Sequence, residues 1–318
     1  MTIDKTFVDK FINVTSKAAI ASYSFVGKKD KIAADKAAVD SMREELNKLS
    51  IHGKIVIGEG ELDEAPMLYI GEELGRRNGP EFDIAVDPLE GTNFAANNLP
   101  GALCVLAVSA KNNLFNAPET YMQKISANVH ENEVIDLDYS IKKNIFNLSE
   151  YLNKSPENIT ACILDRPRHT KIIKELKDLK VNLKLITDGD VSGALLVTDK
   201  KYGVDIFLGT GGGPEGVLAA SALDAYNCIF QGRFLFESDE EKLRAKKMGI
   251  NDFTKKYNLD EIISGDSIFC ATGITSGDLV KGVEINGNEY LTETLVTHKS
   301  AGLKKVIITK NLLNDKLD

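Results

Sequence analysis

Apolar positions recur along the chain with two periods, and the alternation between them outlines the fold. Phe7, Phe11, Val14 and Ala18 fall at i, i+4, i+7 and i+11, the stripe of an amphipathic helix. A second helix is predicted over 31–49, where Ile32, Asp35, Val39, Met42 and Leu46 share one face. Then come a strand over 54–57, a helix over 66–74, a strand over 82–86 and a continuous apolar strand over 102–109. The polar stretch 130–155 reads as a strand edge and a surface helix separating two halves. In the second half, strands over 160–164, 183–187 and 204–208 alternate with helices over 170–179, 192–198 and 215–226. A charged helical segment over 237–256 precedes a strand-rich end. There Asn286-Gly287 signals a hairpin between 282–285 and 289–296. Strands whose ends open into helices predict an α/β protein, with function at the strand carboxyl ends. The predicted division is an N-terminal metal-binding α+β domain over 1–135 and a C-terminal α/β substrate-binding domain over 136–318, packed as one compact unit.

Composition narrows the class. At about 150 residues per domain, 318 residues suit two domains or one large α/β unit. With 43% hydrophobic and 27% charged residues the chain is not of the disordered type. A net charge of −8 argues against a general nucleic-acid or anionic-membrane surface. The longest uncharged apolar run, 101–110, is half of the roughly 20 residues a membrane span needs. Asp4 and Asp9, with no apolar stretch beside them, do not read as a secretory signal, so a cytoplasmic protein is expected. Cys104, Cys162, Cys228 and Cys270 show no CxxC spacing and read as buried free thiols. Four scattered histidines, with no HxxxH, argue against zinc.

Chemistry concentrates at strand ends. The segment Asp83-Ile-Ala-Val-Asp87-Pro88-Leu89-Glu90-Gly91-Thr92 carries a strand into a turn, and pairing is expected to stop at Pro88. That turn gathers two carboxylates, a hydroxyl and free N–H groups, a set suited to a hard cation and a phosphate. Capping of the turn by Asp87 and Thr92 is the simpler alternative. Asp35, inside an apolar stripe, either bonds a neighbour or points at a metal. Glu59, between Gly58 and Gly60, is a further ligand candidate; Glu61, Asp63 and Glu64 read as a solvated acidic loop. The glycine run Gly209-Thr-Gly-Gly-Gly-Pro-Glu215 reads as an anion cradle without Walker or dinucleotide spacing. Glu215 there equally complements a helix dipole. Asp188-Gly189-Asp190 offers acceptors to sugar hydroxyls or an N-cap by Asp190. Arg166-Pro167-Arg168 offers two guanidiniums to a phosphate. Tyr121 reads from its spacing as core, with stacking on a ligand as the alternative.

Taken together these segments closely resemble the class II (GlpX-type) fructose-1,6-bisphosphatases. The resemblance rests on Asp30-Lys-Ile-Ala-Ala-Asp35, Ile57-Gly-Glu-Gly-Glu61, Asp87-Pro-Leu-Glu-Gly-Thr92, Tyr121-Met122, Arg166-Pro-Arg-His169, Asp188-Gly-Asp-Val191, Pro214-Glu215-Gly216 and Ala271-Thr-Gly-Ile-Thr275. The Asp87–Thr92 turn is also similar to the signature of the lithium-sensitive, metal-dependent phosphatases, the superfamily of the inositol monophosphatases. The resemblance implies a layered α-β-α-β-α sugar-phosphatase fold. It implies metal ligation by Asp35, Glu59, Asp87, Glu90 and Glu215, with two or more Mg²⁺ or Mn²⁺ ions. Catalysis would fall to Thr92, Glu90 and Asp87. Substrate contacts are implied for Glu90, Gly91, Thr92, Tyr121, Arg166, Pro167, Arg168, Asp188, Gly189, Asp190 and Gly212. The implied reaction is hydrolysis of the C1 phosphate of fructose 1,6-bisphosphate in gluconeogenesis by a homo-oligomer, dimer or tetramer. Sedoheptulose-1,7-bisphosphatase, or another phosphatase of the superfamily, is the alternative. A nucleotide-binding oxidoreductase built on the glycine run is the reading from another class, and the absent ribose-acid spacing counts against it.

Overall fold

The computed structural model describes residues 2–58 and 67–313. The chain divides into two compact units, 1–115 with 263–318, and 116–262. This differs from the single cut expected near residue 135. The segment from 263 onward returns to the first unit because its strands complete that unit's sheet, a pairing that local sequence does not encode.

The first unit, with elements numbered along the whole chain, opens with helices α1 (Phe7–Tyr23) and α2 (Lys31–Asn47). Strands β1 (His52–Ile57), β2 (Glu73–Leu74) and β3 (Glu81–Glu90), the short helix α3 (Thr92–Ala96) and strand β4 (Leu103–Ala110) follow. Its later strands are β11 (Ser267–Gly273), β12 (Glu284–Asn286), β13 (Glu289–His298) and β14 (Leu303–Leu312). The sheet runs β12-β13-β11-β4-β3-β1-β2, with β14 paired to β13. Phe11, Val14 and Ala18 of α1 are fully buried, as the helical stripe requires. Phe7 and Phe82 meet edge to face at 5.2 Å, seating α1 on the sheet. On α2, Val39, Met42 and Leu46 are buried, but Ile32 is 82% exposed, because it lies in the first turn beyond the packed face. The expected hairpin is present: Asn286 pairs with Glu289 and Gly287 takes φ +61°.

Two expectations in this unit are corrected. Over the described part of 66–74 there is no helix. Gly71 N–H donates to Ile55 O at 2.8 Å and Ile55 N–H donates to Glu72 O at 2.9 Å, so the backbone there is spent on β1, and β2 lies antiparallel to it. Nor does β3 stop at Asp87. It continues to Glu90 through a register irregularity, with Asp87 opposite Val105 and Glu90 opposite Leu103.

The second unit comprises β5 (Tyr121–Ala127), α4 (Ile141–Leu152), β6 (Thr160–Leu164), α5 (Thr170–Asp178), β7 (Asn182–Ile186) and α6 (Asp190–Leu195). It continues with β8 (Ile206–Gly212), α7 (Gly213–Tyr226), β9 (Ile229–Leu235), α8 (Asp239–Lys247), β10 (Lys256–Asn258) and α9 (Leu259–Ile262). The sheet order is β10-β9-β5-β8-β6-β7, and β6 runs parallel to β7 and β8. Its core includes Ile125, Ile145, Leu148, Leu176 and Ile206. The expected strand edge within 130–155 is not there; that segment carries α4. The charged segment 237–256 is helical only over α8, started by a Ser238–Glu241 capping box and ended before Gly249, which takes φ +91°. The mixed α/β class expected from the sequence holds, with each sheet accompanied by helices.

Candidate active site

In the first unit, the irregularity in β3 shapes the Asp87–Thr92 turn. Gly91 sits at φ +79°, ψ +49°, a left-handed position that suits glycine, and caps α3, whose first residue is Thr92. Glu90 is 5% exposed, while Asp87 and Thr92 are half-buried. Beneath the turn, the Cys104 thiol donates to Pro88 O at 2.9 Å. Burial pushes that thiol well above its ordinary pKa, and the nearby carboxylates of Asp87 and Asp35 push it further. Asp35 and Asp87, distant in sequence, thus act on the same buried sulfur. Glu59 lies outside the described residues. Among the described residues no three His, Cys, Asp or Glu side chains form a group able to hold a metal ion.

In the second unit, β8 runs through the glycine segment expected as a loop, and α7 starts at its end with Gly212 as N-cap. The glycines admit carboxylates. A Cβ on Gly211 would lie 2.0 Å from Asp190 Oδ2, and one on Gly212 would lie 1.9 Å from Glu215 Oε2. Glu215 Oε2 is buried and has no hydrogen-bond partner. Burial raises the Glu215 carboxyl pKa, Lys124 opposes that rise, and Asp190 and Asp188 reinforce it. Gly189, at φ +82°, rather than Asp190, is the N-cap of α6. Asp190 is instead ion-paired with Lys124, a residue not singled out from the sequence.

The Arg166–Arg168 turn is held by its neighbour His169. Its Nδ1–H donates to Leu164 O at 2.7 Å and its Nε2 accepts from Thr210 N–H at 2.7 Å, so the ring is the neutral Nδ1–H tautomer. Burial lowers its pKa accordingly. Arg168 Nε donates to Thr210 O at 2.8 Å and its guanidinium lies 4.9 Å from the centre of the Tyr121 ring. Arg166 stands 4.0 Å from Asp188. Tyr121 is 42% exposed, so the expectation that it is core is corrected: it starts β5 and its ring backs a guanidinium. Within this unit the structure therefore brings Tyr121 to Arg168, Arg166 to Asp188, Asp190 and Gly212 to Lys124, and the Glu215 carboxylate to Gly212.

The family model described as bacterial fructose-1,6-bisphosphatase, glpX-encoded, matches residues 5–311. The chain belongs to that family. It is accordingly a phosphatase, a phosphoric monoester hydrolase of the class II fructose-1,6-bisphosphatase type. Relatives named D-fructose 1,6-bisphosphatase class 2/sedoheptulose 1,7-bisphosphatase agree. The protein from Synechococcus sp. (strain JA-3-3Ab) is 41% identical, covering 90% of each chain. That from Trichodesmium erythraeum (strain IMS101) is 38% identical, covering 96% of each. Among solved structures, an inositol monophosphatase from Anabaena (Nostoc) sp. PCC 7120 is similar at 13% identity and a TM-score of 0.31, covering 61% of this chain and 71% of that one. Within this bisphosphatase chain, no helix among the described residues is long and apolar enough to cross a membrane.

Proposed function

We propose that the chain hydrolyses the C1 phosphate of fructose 1,6-bisphosphate to fructose 6-phosphate and inorganic phosphate, using two or more Mg²⁺ or Mn²⁺ ions. The setting of this reading is gluconeogenesis in the cytoplasm, by a homo-oligomer, dimer or tetramer. The observation that carries it is the β3 turn, where a strand irregularity between Asp87 and Glu90 and the left-handed Gly91 lead into Thr92, the first residue of α3.

The donor chemistry fits divalent cations. Asp35, Asp87 and Glu90 are hard oxygen donors, and Glu215 holds a buried carboxylate oxygen that no protein donor satisfies. In the first unit Asp35, Glu59, Asp87 and Glu90 would hold the ions, and in the second Glu215. When bound, such ions neutralise phosphate charge, lower the pKa of a water and stabilise a leaving alkoxide. The chain's own groups do the rest. Thr92 Oγ1 orients the attacking water, helped by Glu90. The α3 N–H groups beside Gly91 face the phosphoryl oxygens. Arg166 and Arg168 bind the second phosphate, Tyr121 keeping Arg168 in place, and the Asp188–Asp190 turn accepts from sugar hydroxyls. Two arginines suit any sugar bisphosphate, so sedoheptulose 1,7-bisphosphate is accepted as well.

A phosphate-release panel tests this. With Mg²⁺ or Mn²⁺, both sugar bisphosphates should be turned over well above inositol 1-phosphate and adenosine 3′,5′-bisphosphate. Full turnover in EDTA would refute the metal requirement. Thr92→Ala should lower kcat far more than it raises KM; a change in KM alone would make Thr92 a binding residue only.

A further inference from the structure

Lys124 is an ammonium in the middle of β5 with its side chain 1% exposed. A buried lysine is costly unless paired. Here its Nζ is ion-paired with Asp190 and donates to Gly212 O at 2.6 Å. Those two partners belong to the turn opening α6 and to the end of β8. Space for the arrangement is created by missing side chains, since a Cβ on Gly211 would strike the Asp190 carboxylate and one on Gly212 the Glu215 carboxylate. The Asp190 carboxylate thus lies against Gly211 and the Glu215 carboxylate against Gly212, and Asp190 Oδ1 and Glu215 Oε2 are left without hydrogen-bond partners.

We propose that Lys124 is a positioning residue for the sugar-binding loops of the second unit: it ties the Asp188–Asp190 turn to the end of β8 and so sets where both present their groups. This rests on the bisphosphatase reading above. Lys124 does not touch substrate in this scheme; it acts through Asp190 and Gly212. Because the turn it holds meets the sugar rather than the reacting phosphorus, its loss should be felt in KM more than in kcat.

The test compares wild type, Lys124→Met, Asp190→Asn and the double variant, each checked for folding by circular dichroism, in fructose 1,6-bisphosphate turnover with Mn²⁺. Lys124→Met should lower kcat/KM on the order of 10²-fold, as misplacement of a binding group does, mostly through KM. Binding of fructose 6-phosphate, followed calorimetrically in EDTA, should weaken in parallel. Should the unpaired Asp190 prevent Lys124→Met from folding, the double variant decides. It should match Asp190→Asn within about threefold, since the ion pair by which Lys124 fixes the turn is already gone. A Lys124→Met enzyme with unchanged KM and product affinity overturns the proposal. So does a double variant much worse than Asp190→Asn, which would show that Lys124 acts otherwise than by fixing the turn. Absence of bisphosphatase activity in the wild type would instead overturn the functional reading beneath it.

Discussion

Substituting Gly91 by alanine perturbs the turn in two separable ways. A side chain at φ +79° pays the left-handed penalty of about 1–2 kcal/mol. Its Cβ would also lie 2.8 Å from Phe94 Cδ2. Phe94 is a buried ring packed in the core of the first unit, and overpacking of that kind costs about 1–3 kcal/mol. Gly91→Ala should therefore lose about 2–5 kcal/mol in denaturant unfolding. Replacing Phe94 by leucine in the same background removes the steric part and leaves the backbone part. A double-mutant cycle should return a favourable coupling of about 1–3 kcal/mol. In turnover, relaxation at residue 91 would shift Thr92 and Glu90, and kcat should fall on the order of 10²-fold. A Gly91→Ala protein with the wild-type unfolding midpoint would refute the backbone account. Strict additivity with Phe94→Leu would refute the steric one.

Two further outcomes follow from the site. His169 has a folded pKa below its unfolded value, so its contribution to stability is present above about pH 6.5 and is lost as pH falls toward the folded pKa. The stability gap between wild type and a non-titrating His169→Gln variant should narrow on going from pH 7 to pH 5, and a gap independent of pH would show that the ring does not titrate differently on folding. Asp87→Asn should lose the thermal upshift given by Mn²⁺, worth about 2.7 kcal/mol at a hundred times the dissociation constant, and an unchanged upshift would strike Asp87 from the ligand set.

What the sequence made legible is what is local. The α1 stripe, the 286–289 hairpin and the strand entering Asp87 were all visible because each is decided by neighbours within a few residues. Strand β5 escaped notice because its centre, Lys124, looks solvent-facing. That position is buried only because Asp190 supplies the opposite charge from 66 residues away. For the same reason Lys124 could not be picked out as part of the site, although it lies three residues after Tyr121. The apolar spacing around 67–74 mimicked a helix, and what decided against one was the backbone bonding to β1. Tyr121 looked like core because an apolar ring says nothing of the arginine it backs. The carboxylates were found as candidates because strand-to-turn junctions concentrate them. That the Asp190 carboxylate packs against Gly211 and that of Glu215 against Gly212 needed coordinates.

The interrupted first unit constrains how the polypeptide can mature. Its β4 pairs on one side with β11, from Ser109 opposite Ser267 to Leu103 opposite Gly273, so that flank stays unzipped until residues beyond 262 have been synthesised. Residues 116–262 are contiguous and can condense while the ribosome is still translating the remainder. Emergence from the ribosome thus exposes an apolar strand flank for the longest period, and long-range closures of this sort are slow and prone to aggregate. Refolding of the full chain should show a late phase belonging to the 1–115 and 263–318 sheet, and chaperone demand should concentrate there.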